Sequence, residues 1–253
     1  MARYKVTLAY DGSRYYGFQK QCNPQKPTIQ GQIENGLSQL GWNGRSILAA
    51  GRTDTGVHAL GQVIAFDLEW NHSEAELLAA MNAHLPEDIS FRTVGETDPS
   101  FHPRFQAKSR RYVYHAFCQP NRNPLLERYA WRIWPAVNIE RMQQAVAHIQ
   151  GRHDFAAFGS PPMPKSNTTR NVLDASWRWW SDAMDQQKLV FDITADAFLF
   201  RMVRRLVSFF IAVGQGKHDE EEIKSLLEMP PISPIQGLAP PQGLVLLEVT
   251  YPS

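Results

Sequence analysis

Asp54 lies in the run Gly51-Arg52-Thr53-Asp54-Thr55-Gly56-Val57-His58, bracketed by glycines and threonines. Glycines let a loop take a tight conformation, and threonine hydroxyls can tie its backbone through local hydrogen bonds. A carboxylate held in such a loop can serve as a nucleophile or as a stabiliser of developing positive charge. The plain alternative is that Asp54 closes a turn, as many aspartates beside glycine do. Arg52, two residues earlier, projects to the same side as Asp54 if the segment is extended. His58 beside the glycine loop reads as structural. Arg201, Arg204 and Arg205 are a second group of charges, and helical spacing would place them on one face, where a solvated surface is the plain reading. The two cysteines, Cys22 and Cys118, belong to no CxxC or Cys/His cluster, so neither a metal site nor a disulfide framework is expected and a reducing cytoplasm fits. An enzyme of free nucleotides should show a GxxxxGK[ST] phosphate loop, and the sequence has none.

The elements that must hold these residues follow from hydrophobic period. Tyr4, Val6, Leu8 and Tyr10 alternate with Lys5, Thr7 and Ala9, a strand ended by Asp11-Gly12. Ile29, Ile33, Leu37 and Leu40 repeat at helical spacing behind Thr28 as cap. Short strands are predicted over 46–50 and 62–70, a helix capped by Ser73 and carrying Leu77, Leu78 and Met81, and a strand over 89–94. The order is β-α-β-β-α-β, the ferredoxin-like unit. Further on, the same order returns without visible identity. Strand 110–118 is followed by a helix with Ile139, Met142, Val146 and Ile149, strands 172–180 and 189–194 joined by a turn-rich segment, a helix over 200–213 closed by Gly214, and strand 244–250. An acidic helix over 219–229 precedes the last, proline-rich loop. The expected fold is therefore α+β: two ferredoxin-like (β-α-β-β-α-β) halves, residues 1–105 and 106–253, joined into one mixed, mainly antiparallel sheet with a central active-site cleft.

The run Ala50 to Ala59, with Gly61-Gln62-Val63, resembles the signature of the tRNA pseudouridine synthase A (TruA-type) family. Four more segments match that family in order: Tyr10-Asp11-Gly12-Ser13 with Tyr15-Tyr16-Gly17-Phe18-Gln19, Arg110-Arg111-Tyr112, Met202-Val203-Arg204, and Ala239-Pro240-Pro241-Gln242-Gly243-Leu244. Asn82 to Pro86 and Phe101 to Phe105 match more weakly, so the resemblance spans nearly the whole chain. It implies the pseudouridine synthase fold and an isomerase that cuts the N1–C1′ bond of uridine, turns the base and rejoins it through C5, with no cofactor and no metal. Asp54 matches the catalytic aspartate, Arg204 its ion-pair partner, and Tyr112 the tyrosine that stacks on the flipped base. A carboxylate in a desolvated cleft stays ionised when a guanidinium lies beside it. Leu244 would line the base pocket, Arg52 would hold a phosphate or fill the space of the flipped nucleotide, and Arg110 and Arg111 would contact RNA. The implied substrate is the anticodon arm of tRNA, at uridines 38, 39 and 40, and the implied assembly is a homodimer. Thr55 and Ser208 depart from residues common in the family, at positions outside the chemistry.

Charge adds a weaker cue. The 253-residue chain has a net charge of only +1, yet Arg104, Lys108, Arg110, Arg111, Arg122, Arg128 and Arg132 face a single acid, Glu127, between Pro103 and Arg132. Such a strip suits a polyanion, although a solvated surface has the same composition. No apolar run is long enough to span a bilayer, the first residues read as a strand, and a cytoplasmic protein is expected. A non-catalytic pair of RNA-recognition modules would need exposed aromatics in an RNP-type strand, which Gln62-Val63-Ile64-Ala65-Phe66-Asp67 lacks. A pseudouridine synthase with another RNA target is also compatible with this fold.

Overall fold

The computed structural model describes residues 1–22, 25–161, 166–181 and 187–252. It contains two compact units: Met1–Lys108 with Val245–Ser253, and Ser109–Leu244.

In the first unit the alternation in the sequence becomes β1 (Ala2–Tyr10), whose Tyr4, Val6, Leu8 and Tyr10 are buried. Thr28 caps α1 (Ile29–Gln39) by accepting from the Gly31 N–H, and Ile29, Ile33 and Leu37 face the core. β2 (Leu48–Ala49) is shorter than predicted, and β3 (His58–Leu68) is longer, beginning at His58 and not at Gln62. α2 (Glu74–His84) opens with a reciprocal capping box in which Ser73 and Glu76 satisfy each other's backbone N–H. β4 (Ile89–Thr97) closes the set. β1 pairs antiparallel with both β3 and β4, and β2 with β3, giving the ferredoxin-like order β4-β1-β3-β2.

The free edge of β3 is shared. Leu48 and Ala49 lie beside Ala65 and Ile64, whereas its first residues, His58 and Ala59, pair in parallel with Val245 and Leu246 of the last strand, β10 (Leu244–Thr250). The loop that carries Asp54 therefore leaves the sheet where one edge strand gives way to another. Gly61 makes this approach possible, because a Cβ there would lie 2.3 Å from the Leu247 carbonyl oxygen. Near the other end of the unit, the Phe101 and Tyr251 rings meet at 5.2 Å beneath the Lys5 ammonium, and the Tyr251 hydroxyl donates to the Pro103 carbonyl.

In the second unit β5 (Ser109–Cys118) is followed by two pieces the period did not predict, α3 (Pro124–Glu127) and β6 (Trp131–Ile133), the latter pairing in parallel with β5. α4 (Ile139–Ala147) buries Met142, Ala145 and Val146. A third unpredicted piece, β7 (Gly151–Asp154), pairs with β8 (Thr169–Ser181), β8 with β9 (Gln187–Ala195), and β9 with β5, all antiparallel. The turn expected between β8 and β9 falls mostly on 182–186, outside the described residues. Trp177, Phe191 and Phe210 pack ring against ring in the core.

α5 (Met202–Gly214) corrects two expectations. It begins at Met202, because Arg201 adopts a left-handed backbone (φ 64°), so Arg201 shares no helical face with Arg204 and Arg205. Gly214 lies inside the helix, where a Cβ would press to within 2.9 Å of Met142 and Val137; the left-handed glycine that follows the helix is Gly216. α6 (Glu222–Glu228) is the core of the predicted acidic helix. The chain is an α+β protein, and among the described residues no helix is long and apolar enough to cross a membrane.

Candidate active site

Asp54 is held by anchors on either side of it. Its own carbonyl accepts from the Val57 N–H (3.1 Å), closing a turn in which Gly56 has φ 76°, the conformation a type II turn asks of its third residue. Thr53 is buried and doubly fixed: its carbonyl accepts from Phe18 N–H (3.0 Å) and its hydroxyl lies 2.8 Å from the Tyr10 hydroxyl. Gln62, wholly buried in β3, donates to the Gly51 carbonyl (3.1 Å) and to the Tyr10 hydroxyl (3.4 Å). Burial pushes the Tyr10 phenol up to about 12, while the bonds to Thr53 and Gln62 work against the rise; the hydroxyl is neutral and serves as a strut. Arg52 and Thr55 are exposed, and Asp54 is half-buried between them.

The segment Asp11–Phe18 packs against the loop. A Cβ on Gly12 would lie 2.0 Å from the Val57 carbonyl oxygen, and one on Gly17 (φ 89°) 2.9 Å from the Thr53 carbonyl oxygen. Both neighbours are backbone and cannot rotate away. His58 is buried, and its Nδ1 lies 3.1 Å from the Gly12 nitrogen and 3.1 Å from Asp11 Oδ1, so it staples the wrapping segment to the start of β3. Tyr15 donates a short bond to the Asp88 carboxylate, and burial, then Asp88, raises its phenol above the ordinary range. Gly12→Ala is expected to lower Tm by several degrees and turnover by more than about tenfold, since overpacking against backbone costs about 1–3 kcal/mol and shifts the loop; thermal melts and rate assays check both.

Tyr112, Arg204, Leu244, Arg110 and Arg111 belong to the second unit. Arg204 is buried in the first turn of α5, where its Nε donates to the Ala239 carbonyl (2.8 Å) and its own carbonyl accepts from Ala239 N–H (3.1 Å). That reciprocal pair fixes the direction of the guanidinium fork. The Tyr114 hydroxyl, with its pKa raised by burial and opposed by the Arg204 charge, donates to the Pro240 carbonyl (2.8 Å). Gly243 presses on β5, where a Cβ would meet the His115 carbonyl oxygen at 2.6 Å and the Tyr114 ring at 2.7 Å, and buried Leu244 follows it. The segment 239–244 thus ties Arg204 to β5. Tyr114, fully buried in β5, is the link.

Tyr112 lies two residues before Tyr114 on the same face of β5 and meets the Phe198 ring edge-on (5.0 Å, 84°). Ser208 faces Gly237 (φ 92°), where a Cβ would be 2.7 Å from its hydroxyl, so the two pack the loop leading to Ala239 against α5.

The basic strip is partly paired within the chain. Arg111 grips buried Asp192 with both Nε (2.9 Å) and Nη2 (2.6 Å), and Arg178 adds a contact at 3.4 Å. Burial raises the Asp192 pKa, but the two guanidiniums bring it below the usual carboxylate range. Arg122 (2.8 Å) and Arg132 (3.1 Å) share Glu127, and Arg110 donates to the Asp196 carbonyl (2.7 Å). In each of these clusters two guanidiniums converge on one carboxylate.

A family profile described as tRNA pseudouridine synthase matches residues 7–106 and 145–252, two stretches that contain Asp54, Arg204 and Leu244 and lie on either side of Tyr112. The tRNA pseudouridine synthase A of a Geobacillus strain is 39% identical over 251 residues, covering 98% of this chain and 98% of that protein. The protein of the same name from Pseudothermotoga lettingae is 36% identical over 251 residues, covering 99% of this chain and all of that one. That from Limosilactobacillus fermentum is 34% identical over 258 residues, covering 100% of this chain and 97% of that one. With similarity running almost end to end, through the Asp54 loop, α5 and the closing strand, the chain belongs to the tRNA pseudouridine synthase family.

Proposed function

We propose that this enzyme converts uridine to pseudouridine in the anticodon arm of tRNA, at positions 38, 39 and 40, with Asp54 as the catalytic carboxylate. The observation that carries the reading is the Asp54 loop itself: Thr53 and Val57 are fixed by backbone, Tyr10 and Gly12, while Asp54 between them is half-buried. The reaction is an isomerisation. The N1–C1′ bond breaks, C1′ becomes electron-poor, C5 of the turned uracil bonds to C1′, and the C5 proton is lost as N1 regains one. A carboxylate meets the electron-poor stage, and Arg204 keeps that carboxylate ionised. Tyr112 stacks on the flipped base, Leu244 lines its pocket, and Arg52, Arg110 and Arg111 hold the RNA backbone. Two copies of the chain act together in the cytoplasm, where their basic strips add to offset a net charge of only +1.

Incubation with unmodified tRNA, followed by carbodiimide-dependent reverse-transcription mapping, should give stops at 38, 39 and 40; stops elsewhere in tRNA would move the target, and none would overturn the reading. Tyr112 offers a separate check. Base stacking is worth about 1–3 kcal/mol, so Tyr112→Ala is expected to lose at least about tenfold more kcat/KM than Tyr112→Phe. Equal losses would put the hydroxyl, not the ring, at the centre of its role.

A further inference from the structure

The loop between β9 and α5 departs from local preference at one residue. Arg201 holds a left-handed backbone, φ 64° and ψ 9°, a conformation that glycine or asparagine takes more cheaply than arginine. It occupies the N-cap of α5 without any side-chain capping bond, where serine or aspartate would be favoured and where the helix dipole opposes a cation. Its guanidinium lies 4.7 Å from the centre of the Phe200 ring, and that ring is 53% exposed although its neighbours Leu199 and Met202 are buried. The backbone beneath is fixed: Phe200 and Ser160 exchange two hydrogen bonds (3.1 and 3.3 Å), and Leu199 fills the space that Gly159 leaves by lacking a side chain. Two residues upstream, Phe198 meets Tyr112. An exposed aromatic carrying a cation, on a rigid loop continuous with the base-stacking tyrosine, has the chemistry of a nucleotide: a π-face for the base and a positive charge for the phosphate.

We propose that Phe200 and Arg201 are positioning residues for the RNA, the ring stacking on an unpaired base beside the target uridine and the guanidinium holding that nucleotide's phosphate. This rests on the tRNA-modifying function proposed above. It also accounts for the broken preferences, since strained residues that oppose local stability gather where binding requires them.

Arg201→Gly keeps the left-handed backbone and removes the cation, and Phe200→Ala removes the ring. Both are to be measured in the full chain with unmodified tRNA, by filter binding across a salt series and by release of tritium from C5-labelled uridine. The expected result is a rise in Kd and KM of about tenfold for each, with a smaller change in kcat, recovery by Phe200→Trp, and a salt slope about one unit shallower for Arg201→Gly. Tm of Arg201→Gly should hold or rise, whereas a merely structural arginine would lower it. If both variants bind and turn over tRNA as the wild type does, or if only Tm falls, the proposal is overturned. A wild-type protein that makes no pseudouridine in tRNA would instead overturn the function on which it rests.

Discussion

Asp54→Asn should give a folded protein that binds tRNA with an affinity close to wild type and makes no detectable pseudouridine. Among the anchors of the loop are the Thr53 carbonyl and hydroxyl, the Gly51 carbonyl, the Val57 N–H and the carbonyl of Asp54 itself, and the substitution alters none of these. The amide has the shape of the carboxylate but carries no charge, so it can neither add to the base or the ribose nor balance charge as the glycosidic bond breaks, the roles open to Asp54 in the proposed reaction. Loss of a group acting only in the transition state lowers kcat and kcat/KM together, here by at least about 10³-fold, roughly 4 kcal/mol. Three measurements decide it: a melting curve, a tRNA Kd and the rate of C5 tritium release. A folded, binding variant that kept more than a tenth of the wild-type rate would remove Asp54 from the chemistry.

Arg204→Ala is expected to be nearly as damaging to turnover, with a cost in stability besides. The side chain is buried and its Nε holds the Ala239 carbonyl at 2.8 Å, so truncation leaves a buried acceptor unsatisfied, a loss of about 1–3 kcal/mol. Segment 239–244 would then lose one of its ties. Arg204→Lys separates the two effects, because lysine keeps the charge but has neither the Nε donor nor the planar fork. The expected order of turnover is arginine far above lysine, with lysine at or above alanine, and Tm falling most for alanine. Retention of more than a tenth of wild-type turnover by the alanine variant at saturating RNA would sink the partnership with Asp54 proposed above.

Much of this was legible in the residues, for physical reasons that differ by element. β1, α1 and α2 carry clean periods and explicit caps at Thr28 and Ser73, so their sequences state both where they start and which face they bury. β6 and β7 are three and four residues long and too short for any period to show. The start of α5 was hidden because nothing in an arginine announces a left-handed backbone. The pairing of β10 with β3 joins segments far apart in the chain, and hydrophobic pattern does not encode partners at that range. At the site, glycine flanks pointed to a tight loop, but that Gly12 and Gly17 press on Val57 and Thr53 is a fact of packing. The bond from buried Tyr114 to the Pro240 carbonyl likewise joins segments that no periodicity relates.

The shared edge of β3 also has a bearing on how the chain is made. His58 and Ala59 leave the ribosome long before Val245 and Leu246, their partners in the ladder. At about 5–20 residues per second, that stretch of the edge waits roughly 10 to 40 s for its strand. During synthesis the Asp54 loop therefore borders an unpaired edge, the kind of surface on which nascent chains mispair. That edge is covered only when the polypeptide has grown past Leu246.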